Sequence, residues 1–326
     1  MIHGCDPRAR LLGRGDRVGG ILRAMHPRLV VVDAFTRLPG SGNRAGVYPD
    51  ADGVDEASMQ RVAAALAASE TAFVLPPPDG ATVRLRYFTP QSEIAFCGHA
   101  TVAAFHWLVE SGALPAPARH VLDCPAGRVE IDLELAEGGI TRVWMATPRY
   151  PWEPSPIAGA TLLGLLGGSQ SMRDQALPIE RSGHHLYVAI GKRADLWSLA
   201  PRWDALAAEG ERFGVRGYYV FTRDVLEPAS VTHGRYFAPA LGLREDPVTG
   251  SASGPLAEYL ARHGVLALPA SGGSVRGRAE QGDAMGKPGR VELEVRGGGG
   301  SIESVRVGGQ AITVLDGTLA GLDLLS

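Results

Sequence analysis

Cysteine is scarce. Three residues in 326, Cys5, Cys97 and Cys124, are too few and too scattered for a disulfide framework or a zinc site. A reducing, cytoplasmic compartment fits that usage. No run reaches the about 18 consecutive apolar residues of a membrane span. An excess of one charge is missing too: 32 basic against 35 acidic residues leave a net −3, so no global field favours nucleic acid or an anionic membrane. There is no His-x-x-x-His pair, no Cys-x-x-Cys pair and no Gly-x-Ser-x-Gly elbow. His184 and His185 are adjacent, so in a strand they point to opposite faces and cannot chelate together. The run Gly297–Gly300 has no following lysine and no strand-to-helix context, which makes it a hairpin loop rather than a phosphate cradle. Neither a metal nor an organic cofactor is expected.

What is present is globular. Hydrophobic residues at 45% and charged residues at 21% match ordinary soluble domains, and the length predicts about two of them. Residues 1–24 carry five arginines and no apolar stretch, which excludes a secretory signal and reads as a loose extension. The texture changes at Met25, and Leu29-Val30-Val31-Val32 predicts a buried strand.

The chain reads as doubled. Arg86-Tyr87-Phe88-Thr89-Pro90 returns as Arg235-Tyr236-Phe237-Ala238-Pro239. Glu93, Gly98, Ala100 and Leu108 return as Glu245, Gly250, Ala252 and Leu260, each 152 positions on. Two long units predict two similar lobes rather than a solenoid. The expected boundaries are 25–148 for the first lobe, with a strand at about 312–326 returning to it, and 149–311 for the second. Asp55 is placed to cap a helix carrying Met59, Val62, Ala63 and Leu66 on one face. Ala72–Leu75 and Val83–Phe88 predict strands, and helices follow Gly98 and Gly250, the second ending at His263-Gly264.

Chemistry concentrates at the two glycine turns. The N–H groups of Gly98, His99 and Ala100, and of Gly250, Ser251 and Ala252, open helices and suit a small carboxylate. If a pseudo-twofold axis relates the lobes, both would face one cleft. Taken singly, each glycine could equally be a turn former. Glu70, between Ser69 and Thr71 at the start of an apolar strand, is a candidate proton carrier, with burial expected to raise its pKa. A solvated helix end is the plainer alternative. His99 could titrate near neutrality or simply cap a helix start. Asp246 could hold a partner or only its own turn. Asn43, in Gly40-Ser41-Gly42-Asn43, could be a turn former. Cys97 could be a low-pKa thiol or a small buried residue.

Together these strings resemble the PhzF-like phenazine biosynthesis family. The resemblance is carried by Val32-Asp33-Ala34-Phe35-Thr36, Gly42-Asn43, Ser69-Glu70-Thr71-Ala72-Phe73, Arg86–Pro90, Cys97-Gly98-His99-Ala100-Thr101 and Glu245–Ala252. Gln281-Gly282, Met285-Gly286 and Val307-Gly308-Gly309 add to it near the end. It implies an α+β fold of the diaminopimelate-epimerase-like type, two lobes with a sheet wrapped around a central helix in each. It implies a cofactor-free isomerase, usually homodimeric, acting on a small carboxylate. In the phenazine-pathway member a glutamate moves a proton along a dihydro-hydroxyanthranilate ring. Glu70 matches that glutamate, and His99, Asp246 and Ser251 match its supporting residues. Catalysis is therefore expected from Glu70, His99 and Asp246. Substrate binding is expected from Asn43, Ser69, Gly98, Ala100, Gly250, Ser251 and Ala252.

Two departures stand out. The family commonly has Gly-Asn-Pro where this chain has Gly42-Asn43-Arg44, which adds a cation and frees the loop. The epimerase cousin uses two opposed cysteines, whereas position 152 after Cys97 is Thr249, too weak an acid to replace a thiol. A one-carboxylate proton shift is favoured over a two-thiol racemase. A racemase using Glu70 with another base, and a non-catalytic binder of small acids, remain the alternatives. A binder gains nothing from a buried unpaired carboxylate.

Overall fold

The computed structural model describes residues 28–136, 139 and 141–318. The extension over residues 1–24 and the last part of the expected returning strand lie outside these. The described chain forms two compact units. It passes between them at Asp33–Ala34, Asn43–Arg44, Val143–Trp144 and Gly309–Gln310. The segment Ala34–Asn43 therefore groups with the second unit, although it lies within 25–148. The backbone from Gln310 onward groups with the first.

The first unit contains strands β1 (Arg28–Ala34), β2 (Asn43–Tyr48), β3 (Glu70–Leu75), β4 (Val83–Phe88), β5 (Glu93–Ile94), β6 (Ala118–Cys124) and β7 (Gly127–Leu135), with helices α1 (Glu56–Leu66) and α2 (Gly98–Glu110). Asp55 caps α1 as its sequence demands, accepting the Ser58 N–H at 2.7 Å. The alternation of Val83, Leu85 and Tyr87 with arginines puts the apolar set inward along β4. β2 and β3 run parallel, joined through α1; β3 and β4 are antiparallel; β4 and β6 are parallel; β6 and β7 are antiparallel; β5 folds back on β4. Helix α2 is buried along almost its whole length, from Gly98 to Leu108. A helix so enclosed cannot be amphipathic, which explains its small, apolar composition, Ala100, Val102, Ala103 and Ala104 among it.

The second unit repeats this plan. It contains β9 (Trp152–Pro154), β10 (Glu180–Ser182), β11 (His185–Ile190), β12 (Gly217–Thr222), β13 (Thr232–Ala238), β14 (Leu243–Asp246), β15 (Gly273–Gln281), β16 (Gly289–Gly298) and β17 (Ser301–Gly309). It follows β8 (Thr141–Ala146) and precedes β18 (Ala311–Thr318). Its helices are α3 (Gly159–Leu165), α4 (Arg193–Ser198), α5 (Trp203–Phe213) and α6 (Gly250–Arg262). β11 and β12 are parallel, β12 and β13 antiparallel, β13 and β15 parallel, β15 and β16 antiparallel, with β14 on β13. Each step matches β2, β3, β4, β6, β7 and β5. Helices α2 and α6 are equivalent, both of 13 residues and both buried.

The repeated sequence motifs make the same contacts twice. Arg86 forks onto Glu93 at 2.6 Å and lies over the Phe88 ring. Arg235 forks onto Glu245 at 2.9 and 2.8 Å and lies over Phe237. Bidentate pairing fixes each short strand, β5 and β14, against its neighbour. The glycine run closes the β16–β17 hairpin, as its lack of a lysine requires.

Candidate active site

The structure gathers the expected residues into two sets, one in each unit. The first is built at the junction of β3 with the start of α2. Glu70 is the first residue of β3 and pairs in register with Ala45 of β2. His99 is the second residue of α2. The His99 ring is buried, and its Nε2 lies 3.0 Å from Glu70 Oε2 and 3.1 Å from Ser69 Oγ. Ser69 donates its hydroxyl to the Arg44 carbonyl at 2.9 Å, so its oxygen is left to accept from His99. Cys97 Sγ lies 3.4 Å from the other ring nitrogen, Nδ1. Glu70 Oε2 is buried, with the His99 ring as its close partner.

Burial was expected to raise the Glu70 pKa, and the structure reverses that sign. Burial does push the carboxyl up, but His99 facing it and Ser69 beside it outweigh burial, and the net shift is downward. For His99, burial pushes the ring down, while Cys97 and Glu70 raise it further, to well above the ordinary histidine value. Burial dominates at Cys97 and pushes its thiol up. With the thiol protonated at neutral pH, Glu70 supplies the negative charge facing the ring. Glu70 and His99 thus form a close buried pair whose shifts each favour the charged form, beside a thiol whose burial favours the neutral one.

These three side chains are also, among the described residues, the set spaced to hold a metal ion, their donor atoms lying within 4.8 Å of one another. Two of them are already joined as an ion pair. A metal would have to displace a proton from both His99 and Cys97.

The second set surrounds Asp246, the last residue of β14. Asn43 is buried and donates to Asp246 Oδ1 and to the Val248 carbonyl, both at 2.9 Å. It is therefore more than a turn former. Thr249 donates its hydroxyl to Asp246 Oδ2 at 2.5 Å instead of capping α6. Gln281 brackets the same turn, donating to the Asp246 carbonyl at 2.9 Å and to Thr249 Oγ1 at 3.0 Å, and accepting the Thr249 N–H at 3.2 Å. Nothing local to Gln281 marks this role, which depends on a partner 32 residues away.

The remaining positions line the two helix starts. Gly98 and Ala100 are buried in the first turn of α2. Gly250 is buried in the first turn of α6, where a Cβ would stand 3.0 Å from the Phe35 ring. Ser251 is exposed, and the Ala252 carbonyl accepts the Tyr187 hydroxyl at 3.0 Å. No side chain caps either helix by a hydrogen bond, which leaves first-turn N–H donors available. Arg44, the replacement for the family proline, sends its guanidinium to the buried Asp33 at 2.8 and 3.1 Å. Alternation along β2 places its side chain on the face opposite Asn43 and Ala45.

The strand register shows what the second unit lacks. Tyr87 pairs with Ala72, and its repeat Tyr236 pairs with Tyr219. Two residues earlier stand Glu70 in the first unit and Gly217 in the second. The site matching Cys97 is Thr249. The second unit thus offers neither a carboxylate nor a thiol at the matching positions.

Comparison with known proteins agrees with this geometry. The family model described as phenazine biosynthesis-like protein, PhzC-PhzF, matches residues 32–317. An uncharacterized isomerase of Deinococcus radiodurans is 39% identical over 301 residues, 90% of this chain and 95% of the relative. The trans-2,3-dihydro-3-hydroxyanthranilate isomerase of Pseudomonas aeruginosa is 33% identical over 296 residues, 90% of this chain and 99% of the relative. The crystal structure of a PhzF-family protein from Bacillus anthracis superposes with a TM-score of 0.82 at 28% identity, covering 90% of this chain and 99% of that one. The chain belongs to the PhzC-PhzF family of phenazine biosynthesis-like proteins, and it is an isomerase.

Proposed function

We propose that this isomerase moves a proton between two carbons of a small carboxylate without a cofactor, with Glu70 as the base. The observation that carries the reading is the Glu70 Oε2 atom, buried and held in the ionised form a base needs by the His99 ring 3.0 Å away. His99 holds the charge in place, and Ser69 fixes the ring. Asp246, held by Asn43 and Thr249, is the second catalytic group in this reading, acting as a hydrogen-bond acceptor for a substrate amine or hydroxyl. The uncapped first turn of α2, beside Glu70, suits the substrate carboxylate. A single carboxylate, rather than two opposed bases, is favoured because Gly217 and Thr249 stand at the matching positions. A homodimer is the inferred assembly, to be checked by light scattering.

The test is deuterium exchange in heavy water with trans-2,3-dihydro-3-hydroxyanthranilate and a panel of cyclic and amino-acid carboxylates. Wild-type protein is expected to place deuterium on carbon of at least one of them. Glu70→Gln is expected to slow that by about 10²–10⁴-fold, the usual worth of general acid–base catalysis. Exchange at an undiminished rate in Glu70→Gln sinks the assignment.

A further inference from the structure

Arg44 sends its side chain to one neighbour and its carbonyl to another, and the second leads to the Glu70–His99 pair. We propose that Arg44 is a positioning residue for that pair: its guanidinium, anchored on Asp33, holds the peptide whose carbonyl orients the Ser69 hydroxyl, and the Ser69 oxygen holds the His99 ring toward Glu70. This rests on the reading of Glu70 as the base.

Four contacts make the chain. Arg44 forks onto Asp33 at 2.8 and 3.1 Å. The Asp33 side chain is 1% exposed and that of Arg44 is 47% exposed, so the fork moors an exposed side chain to a buried point of β1. A bidentate pair fixes direction as well as distance. The Arg44 carbonyl accepts the Ser69 hydroxyl at 2.9 Å. Ser69 Oγ lies 3.1 Å from His99 Nε2, and the same nitrogen lies 3.0 Å from Glu70 Oε2. All four contacts gather at one end of β2 and β3, whose parallel register opens at Ala45 and Glu70. Arg44 and Ser69 each stand one residue before that first pair, and the Ser69 hydroxyl ties the two strands there.

The single hydroxyl proton decides what Ser69 does. A serine hydroxyl turns freely and has one proton and two lone pairs. With the proton on the Arg44 carbonyl, the lone pairs are left for His99 Nε2. Turned the other way, the proton goes to the Glu70 carboxylate, which Ser69 also reaches, and weakens it as a base. The first arrangement needs the Arg44 carbonyl to stay where it is. The bond is 2.9 Å long and a separation of about 3.6 Å is no longer a hydrogen bond, so a drift of about 0.7 Å undoes it. The grip of the guanidinium on Asp33 restrains that drift from the β1 side.

The experiment follows the His99 ring by NMR titration, and deuterium exchange on the same panel, in wild type, Arg44→Ala, Arg44→Lys, Ser69→Ala and the Arg44→Ala/Ser69→Ala double variant. Arg44→Ala is expected to slow exchange about 10-fold at little-changed KM, since a misplacement of about 1 Å costs up to about 10²-fold. Its ring is expected to titrate at lower pH than in wild type. Ser69→Ala is expected to shift both readouts the same way, and the double variant to add less than about 2-fold to Ser69→Ala, as for residues acting through one network. Arg44→Lys keeps the cation but cannot fork. It is expected to fall between wild type and Arg44→Ala, and it decides the matter if Arg44→Ala does not fold. Wild-type rate and ring titration in the Arg44 variants overturn the proposal. Losses that multiply in the double variant also overturn it, because they place the effect of Arg44 outside Ser69. The ring titration needs no substrate, so the two readings fail separately. Glu70→Gln exchanging at the wild-type rate sinks the base and the positioning role with it. A slowed Glu70→Gln beside an unshifted ring in the Arg44 variants sinks the positioning role alone.

Discussion

Glu70 and Gly217 open equivalent strands, and where the first unit places a carboxylate the second places the phenol of Tyr236. A Cβ built on Gly217 would overlap the Tyr236 hydroxyl, which is held by His185 Nδ1 at 2.9 Å. The repeat is thus a repeat of backbone, with different side chains at the matching positions.

That close approach makes Gly217 intolerant of any side chain. Gly217→Ala is expected to displace the Tyr236 ring and cost about 1–3 kcal/mol, the usual penalty for overpacking a core. The midpoint of urea unfolding should fall at unchanged slope. A variant as stable as wild type would show that the ring moves freely.

Asn43 reaches across 203 and 205 positions of the chain to Asp246 and Val248, and its removal takes one donor from each. Asn43→Ala takes one donor from the half-buried Asp246 carboxylate and one from the buried Val248 carbonyl. The expected loss is about 1–3 kcal/mol, read from chemical denaturation. A loss of isomerisation greater than the loss of folded protein is expected as well.

The Glu70–His99 pair gives stability a defined pH window. Glu70 has a lowered pKa in the folded chain, so its contribution is present above the unfolded value of about 4.3 and is lost as pH falls through the folded one. His99 has a raised pKa, so its contribution is complete below about 6.5 and is lost as pH rises through the folded value. The stability difference between wild type and Glu70→Gln should be largest between these limits and shrink on either side. The His99 ring, followed by NMR, should titrate at lower pH in Glu70→Gln. An unshifted ring would separate the two groups.

A second buried pair is structural. Glu280 and His233 are fully enclosed, with His233 Nδ1 donating to Glu280 Oε2 at 2.8 Å and the Trp197 indole N–H donating to His233 Nε2. Burial pushes Glu280 up, but His233 and the Leu226 and Glu227 N–H groups outweigh it and lower its pKa to about 2. Its contribution is present above about 4.3 and lost as pH falls toward 2. Glu280→Gln is expected to be less stable at pH 7, with the gap closing on acidification in thermal unfolding. A gap independent of pH would mean that charge has no part in it.

Much of this was legible in the residues. The repeat, the Asp55 cap, the alternation along β4 and the glycine starts of α2 and α6 are local patterns, and the structure follows them. Glu70 and His99 were legible as site candidates, yet the sign of the Glu70 shift was not. Burial can be read from an apolar neighbourhood, whereas the opposing charge comes from a ring 29 positions away. The grip of Arg44 on Asp33, the bracket of Gln281 around Thr249 and the enclosure of His233 were missed for the same reason. Each depends on which strands lie side by side, and one residue on its own carries no sign of that.

Strand pairing also has a consequence for the order in which the chain can fold. β18 pairs with β1, and Arg28 clasps Asp316 at 2.7 Å while covering the Trp107 ring of α2. The unit holding Glu70 and His99 therefore waits for one of its strands until the whole other unit has been synthesised. On the ribosome the sequence of the second unit can collapse on its own core first. The helix that carries His99 gains its packing strand only when residues 311–318 emerge, so a chain halted before them carries Glu70 and His99 without the strand behind that helix.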